Sequence, residues 1–94
     1  MSTNYRIFET NEYLKKLKKL TPRDREFVSK KALSYIYPQL KGEPHFGQNV
    51  KKLRGYDPET WRYRLGNFRL IYTIEEDTHI VNIITVDDRR DVYK

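Results

Sequence analysis

The apolar positions change period once along the chain, and that change divides it into a helical part and a strand part. Tyr5–Glu9 alternates, as a short strand does, with Tyr5 and Ile7 on one side. Thr10-Asn11-Glu12 reads as a helix start, and Tyr13, Leu14, Leu17 and Leu20 then form an apolar stripe among lysines. A second start follows at Thr21-Pro22-Arg23-Asp24, where Thr21 can cap, Pro22 suits the first helical position and Asp24 faces the positive helix end. Val28, Ala32, Tyr35 and Ile36 continue at helical spacing, and Pro38 is expected to end the element.

Lys41–Val50 carries two glycines and a proline and reads as a loop. Beyond it the period becomes that of strands. Lys51–Arg54 is a short candidate, and Trp61–Leu65, Phe68–Ile74 and Ile80–Val86 are three better ones, joined by Gly66-Asn67 and the acidic turn Glu75–Thr78. The predicted order is β-α-α-β-β-β-β. It defines an α+β domain over residues 1–94, with a twisted, mainly antiparallel sheet packed against an N-terminal helical hairpin.

The turn at Gly66-Asn67 fixes a register, because a two-residue hairpin loop leaves little freedom in pairing. Leu65 then pairs with Phe68, Arg64 with Arg69, Tyr63 with Leu70 and Arg62 with Ile71. One face carries Trp61, Tyr63, Leu65, Phe68, Leu70, Tyr72 and Ile74, which suits a core under the helices. The other carries Arg62, Arg64 and Arg69 beside Ile71 and Thr73. Two arginines directly opposite each other repel, where a sheet built for stability would pair opposite charges. For any one arginine an ordinary solvated face is the simpler account. Three on one face favour an anion site, since convergent guanidinium groups can each offer a fork to a phosphate. Tyr63 and Phe68 fall on the core face and not where they could stack on bases.

Charge and composition sharpen this picture. Nineteen Lys and Arg against thirteen Asp and Glu give a net charge of +6, which attracts polyanions such as RNA, DNA or an acidic protein segment. There is no cysteine, so disulfides and thiolate metal sites are excluded and a reducing compartment fits. No apolar run approaches the length of a membrane span, and Met1–Arg6 lacks the apolar stretch of a signal peptide. A cytoplasmic location is expected. After Val86 the chain ends in Asp87-Asp88-Arg89-Arg90-Asp91-Val92-Tyr93-Lys94. A phenol near several arginines is chemically notable, because cations favour phenolate and open a route to a general base without histidine. His45 and His79 fall in a loop and near a turn and are read as surface residues.

Three segments carry a family resemblance: Lys51-Lys52-Leu53-Arg54-Gly55, then Trp61 through Tyr72 (WRYRLGNFRLIY), then Asp88-Arg89-Arg90-Asp91-Val92-Tyr93. Together they resemble the signature segments of the RelE/ParE toxin superfamily, and the element order agrees over nearly the whole chain. The resemblance to RelE-type members implies a toxin of a type II toxin–antitoxin pair that cuts messenger RNA in the ribosomal A site without metal or other cofactor. In that chemistry a 2′-hydroxyl attacks the adjacent phosphate and leaves a 2′,3′-cyclic phosphate. Carried over by position, it implies Arg62, Arg64 and Arg69 on the reacting phosphate, Arg89 as acid or electrostatic support, and Tyr93 as general base. Lys51, Lys52, Arg54 and Arg90 are implied as RNA-binding residues, and Arg90 could also substitute for Arg89. The implied partners are a cognate antitoxin, the ribosome and mRNA, with no membrane. Two features depart from the family pattern: Asp87-Asp88 stands where many relatives have a histidine, and the chain given ends one residue after Tyr93. Two other readings remain, a ParE-type inhibitor of DNA gyrase that performs no chemistry and a member that only binds its antitoxin.

Overall fold

The computed structural model describes residues 4–92. The first strand, β1 (Arg6–Glu9), leads into α1 (Asn11–Lys19) and then α2 (Pro22–Lys31). Both helix starts use the caps expected of them: Thr10 Oγ1 accepts from Tyr13 N at 3.2 Å and Thr21 Oγ1 from Asp24 N at 3.2 Å, with Pro22 at the first turn. These bonds satisfy backbone donors that have no partner inside the helix.

Pro38 does not end the second helix, contrary to the expectation from sequence. The chain passes from α2 through a π-type stretch, Ala32–Ile36, into α3 (Tyr37–Gly42), with Tyr37 N bonded to Ala32 O five residues back. That widened turn accommodates a residue that lacks an N–H and whose ring would press on the carbonyl four residues earlier. The insertion also rotates the apolar stripe. Tyr35 turns outward at 52% exposure, while Ile36, Tyr37 and Leu40 take the inner face beside Val28 and Ala32. The loop is correspondingly shorter than expected and spans 43–49.

Four further strands follow, β2 (Val50–Leu53), β3 (Thr60–Leu65), β4 (Phe68–Glu75) and β5 (Ile80–Asp88), and a short terminal turn of helix, α4 (Arg89–Val92), that the sequence pattern did not announce. They form one sheet in the order β1-β5-β4-β3-β2. β1 runs parallel to β5, whereas the other neighbours are antiparallel. The helices cover one face. Tyr13, Val28, Ile36 and Leu40 from the helical side meet Tyr63, Phe68, Leu70, Tyr72, Val81, Ile83 and Val86 from the sheet in a continuous core. Among the described residues no helix is long and apolar enough to cross a membrane.

Two local features set the opposite face. The β3–β4 register is the one that the turn implies: Leu65 opposite Phe68, Arg64 opposite Arg69, Tyr63 opposite Leu70 and Arg62 opposite Ile71. Only Gly66 takes a positive φ there, +59°, so the turn needs glycine at its first position alone. The second feature is a bulge. Ile71 pairs with Thr85 but Tyr72 pairs with Ile83, so Ile84 is an extra residue in β5. Inward positions therefore switch from Val81 and Ile83 to Val86. Without that extra residue, Thr85 and Asp87 would follow Ile83 toward the core. With it, they stand on the open face.

Candidate functional site

The open face holds a polar cleft of about 250 Å³ lined by Lys51, Leu53, Arg62, Arg64, Arg69 and Arg89. Each cation arrives from a different constraint. Lys51 pairs with Arg62 across β2 and β3, and antiparallel partners share a face. Arg62 and Arg64 lie two residues apart on β3, so both point the same way. Arg69 faces Arg64 from β4. Arg89 follows the bulged strand, and its N–H donates to Asn67 O at 2.7 Å, which ties the start of α4 to the hairpin turn.

Few anions balance these charges. Arg69 Nη2 lies 3.3 Å from Asp87 Oδ2, and among the described residues this is the ion pair made by the cleft cations. Arg62 Nη1 donates to Asn49 O at 2.8 Å, and the same carbonyl accepts the Arg64 backbone N–H at 2.9 Å. Asn49 therefore fixes Arg62 without neutralising it. Burial, then the charges of Arg64, Arg69 and Arg89, lower the Arg62 pKa from its ordinary value. Three other cations thus bear on the Arg62 guanidinium. Among the described residues no group of three or more histidines or carboxylates is placed to hold a metal.

The other sequence-predicted residues fall elsewhere. Lys52 pairs with Trp61 on the helix-side face, and its Nζ lies 2.7 Å from Glu59 Oε2. Arg54 sits exposed in the turn after β2, outside the cleft lining. Arg90 points toward α2: its Nη2 lies 3.0 Å from Asp24 Oδ2, its guanidinium bonds Asp88, and its Cζ lies 5.5 Å from the centre of the Phe68 ring. Those bonds to Asp88 and Asp24 raise its pKa. Arg90 is thus a tie between the tail and the helices. Tyr93 lies outside the described residues.

The sequence reading passed over Asn49 and Asp87. The role of Asn49 is carried by its backbone carbonyl, which leaves no mark on residue type. Asp87 was visible as a charge, but its pairing with Arg69 depends on the bulge at Ile84. His45 is also more engaged than a surface histidine: its Nδ1 lies 2.8 Å from Glu43 Oε2 and its Nε2 2.6 Å from Glu76 Oε2. It clamps the 43–49 loop to the end of β4 on the side of the molecule where Tyr5 also bonds Glu76.

A five-stranded sheet with helices on one face and a cationic cleft on the other defines a small α+β protein. The family model described as the ParE toxin of the type II toxin–antitoxin system parDE matches residues 9–93, and the chain belongs to this RelE/ParE family of toxins. Solved structures agree. The toxin–antitoxin complex RelBE2 from Mycobacterium tuberculosis contains a chain that is 30% identical, with a TM-score of 0.71 over 95% of each chain. A free mutant of the Escherichia coli toxin RelE is 26% identical, with a TM-score of 0.66 over 97% of this chain and 92% of that one. A chain in the intact Escherichia coli RelBE toxin–antitoxin complex is 27% identical, with a TM-score of 0.64 over 89% of this chain and 95% of that one. No curated protein sequence matches the chain.

Proposed function

We propose that this toxin is an endoribonuclease that cuts messenger RNA in the ribosomal A site, acting in the cytoplasm as one domain. The observation that carries the reading is the convergence of Arg62, Arg64, Arg69, Arg89 and Lys51 on one cleft, with a single carboxylate paired to them among the described residues. A phosphate in that cleft supplies the missing negative charge. As the 2′-oxygen bonds to phosphorus, the phosphoryl oxygens gain charge, and preorganised guanidinium donors stabilise that state more than the ground state. The bond from phosphorus to the 5′-oxygen then breaks.

Tyr93 is assigned as the base that takes the 2′-hydroxyl proton, on the family resemblance. Arg89, beside the start of α4, is assigned to the departing 5′-oxygen. Lys51 belongs with the phosphate set, whereas Lys52, Arg54 and Arg90 are proposed to act outside the cleft. Lys52 and Arg54 serve the longer RNA or ribosomal surface, and Arg90 holds the tail. The partner that neutralises the toxin is an antitoxin, as in the RelBE2 and Escherichia coli RelBE complexes.

A second reading rests on a different observation, that the matching family model is the ParE one. A ParE-type member would inhibit DNA gyrase and leave RNA intact. Cleavage of translated mRNA, against plasmid that stays relaxed in a gyrase supercoiling assay, separates the two directly.

A further inference from the structure

Next to the arginine cleft lies a second depression of about 460 Å³, within the range of small-molecule sites. Leu53 and Arg69 line both, so the two are continuous. Tyr56 and Pro58, from the β2–β3 connection, and Ile71, Thr73, Ile84, Thr85 and Asp87, from β4 and β5, complete the second one. Its chemistry differs from that of the cleft. The Arg69 charge is met there by Asp87, and the remaining lining is apolar or hydroxylic. A phosphate has no reason to prefer it.

Two buried polar atoms on its lining residues lack a partner among the described residues, Arg69 Nε and Thr85 Oγ1. Both atoms have almost no exposed surface, so they lie behind the groove wall, and what the groove presents to a ligand is mainly its apolar and aromatic side chains. Thr60, which also lines the groove, is satisfied: its hydroxyl donates to Pro58 O at 2.9 Å. Tyr56 is 58% exposed, whereas Ile71, at 8%, lies low in the groove. An exposed phenol ring, a flat aliphatic surface and a few polar atoms at the edge suit a planar heterocycle.

We propose that this groove is a nucleobase subsite, which takes the base of the nucleotide whose phosphate occupies the arginine cleft. The inference rests on the endoribonuclease reading and adds to it the place where sequence preference is set. The base lies on the aliphatic side chains of Leu53, Ile71 and Ile84 and stacks on the exposed Tyr56 ring. Arg69 stands on the rim shared with the cleft, its Nη2 held by Asp87, and marks the passage from phosphate to base.

The test is a methyl-detected NMR titration of the full chain with inorganic phosphate and with each of the four nucleoside 3′-monophosphates. We expect at least one nucleotide to bind about tenfold or more tighter than phosphate, moving the methyl signals of Ile71, Ile84 and Leu53. Tyr56→Ala should bring that nucleotide close to phosphate, and Tyr56→Phe, which keeps the ring, should retain the preference. Nucleotides that bind no better than phosphate and leave Ile71 and Ile84 unmoved would overturn the subsite while the phosphate cleft stands. If neither phosphate nor any nucleotide binds, the cleft reading fails and the subsite with it. Groove signals that move with antitoxin and with no nucleotide would assign the groove to a protein and overturn the proposal.

Discussion

Arg64 and Arg69 stand directly opposite each other on β3 and β4, and Asp87 pairs with only one of them. A sheet gains nothing from that arrangement. Like charges in cross-strand positions destabilise it, and Arg62 and Lys51 repeat the pattern one strand over. The repulsion is held in place by the hairpin turn, the Asn49 carbonyl and the core beneath. The proposed phosphate site accounts for this conflict between local stability and charge placement.

Removing Arg64 should therefore separate activity from stability. Arg64→Ala is expected to lower the rate of mRNA cutting by roughly a hundredfold or more, by analogy with loss of one preorganised donor. The folded state should be unchanged or more stable by roughly half a kcal/mol, because a like-charge pair is relieved. Single-turnover cleavage and urea unfolding of the same preparation measure both. An inactive variant that is also strongly destabilised would point to a structural role instead.

Binding of single-stranded RNA should weaken steeply with salt. The cleft phosphate and the flanking ones met by Lys52 and Arg54 give a slope of roughly −2 in log K against log salt, and Arg64→Ala should lower the affinity at every salt concentration. Fluorescence anisotropy with a short labelled RNA at several salt concentrations reads the slope. A flat dependence contradicts phosphate recognition by the cleft.

The sequence made the central hairpin legible because a glycine turn and strict alternation specify register together. From Gly66-Asn67 alone, Arg62, Arg64 and Arg69 follow onto one face, and Tyr63 and Phe68 onto the other, where they are buried. Both helix starts were readable from Thr10 and from Thr21-Pro22. What escaped depends on irregular backbone. The π-type stretch that carries the helix past Pro38 and the bulge at Ile84 each insert one residue into a regular pattern: Pro38 signals an interruption without saying that the helix resumes, and no residue type announces the bulge. The bulge decides where Asp87 points, so the partner of Arg69 could not be read. Arg89 and Arg90 were equivalent in sequence, and their separation into a cleft residue and a tie to Asp24 follows from the direction of α4.

The clamp at His45 predicts a pH dependence of stability. Burial lowers the His45 pKa, but hydrogen bonds to Glu76 and Glu43, with their charges, outweigh it and leave it raised. The bonds from His45 in turn lower the pKa values of both carboxylates. A raised folded-state pKa gives stability that is fully present below the ordinary histidine value of 6.5 and is lost as pH rises through the folded value. The carboxylates act in the opposite sense: their contribution is present above the ordinary 4.5 and is lost as pH falls through their depressed values. The clamp should thus be strongest in mildly acidic solution. Between about pH 5.5 and about pH 8.5 the protein should lose a few tenths to about 1 kcal/mol that His45→Gln does not lose. Urea midpoints at the two pH values test it, and an equal loss in the variant would remove His45 as the cause.

Gly66 offers a cleaner test of the turn. Its φ is +59°, and a methyl group added there meets no atom within 4 Å, so any effect of Gly66→Ala is conformational. The expected destabilisation is about 1–2 kcal/mol, from placing an L side chain in the left-handed region. Thermal or urea unfolding measures it. A neutral substitution would mean that the turn can adopt another geometry, and the register argument would lose its anchor.

The most direct test of the central claim is to map the 5′ ends and 3′ termini of an mRNA translated in vitro with the toxin present. The arginine cleft as a phosphate site predicts cuts within codons at the A site, 2′,3′-cyclic phosphate ends, and loss of both with Arg64→Ala or Tyr93→Phe. Intact mRNA, together with relaxed plasmid in a gyrase supercoiling assay, would contradict the endoribonuclease reading and place the chain with the gyrase inhibitors.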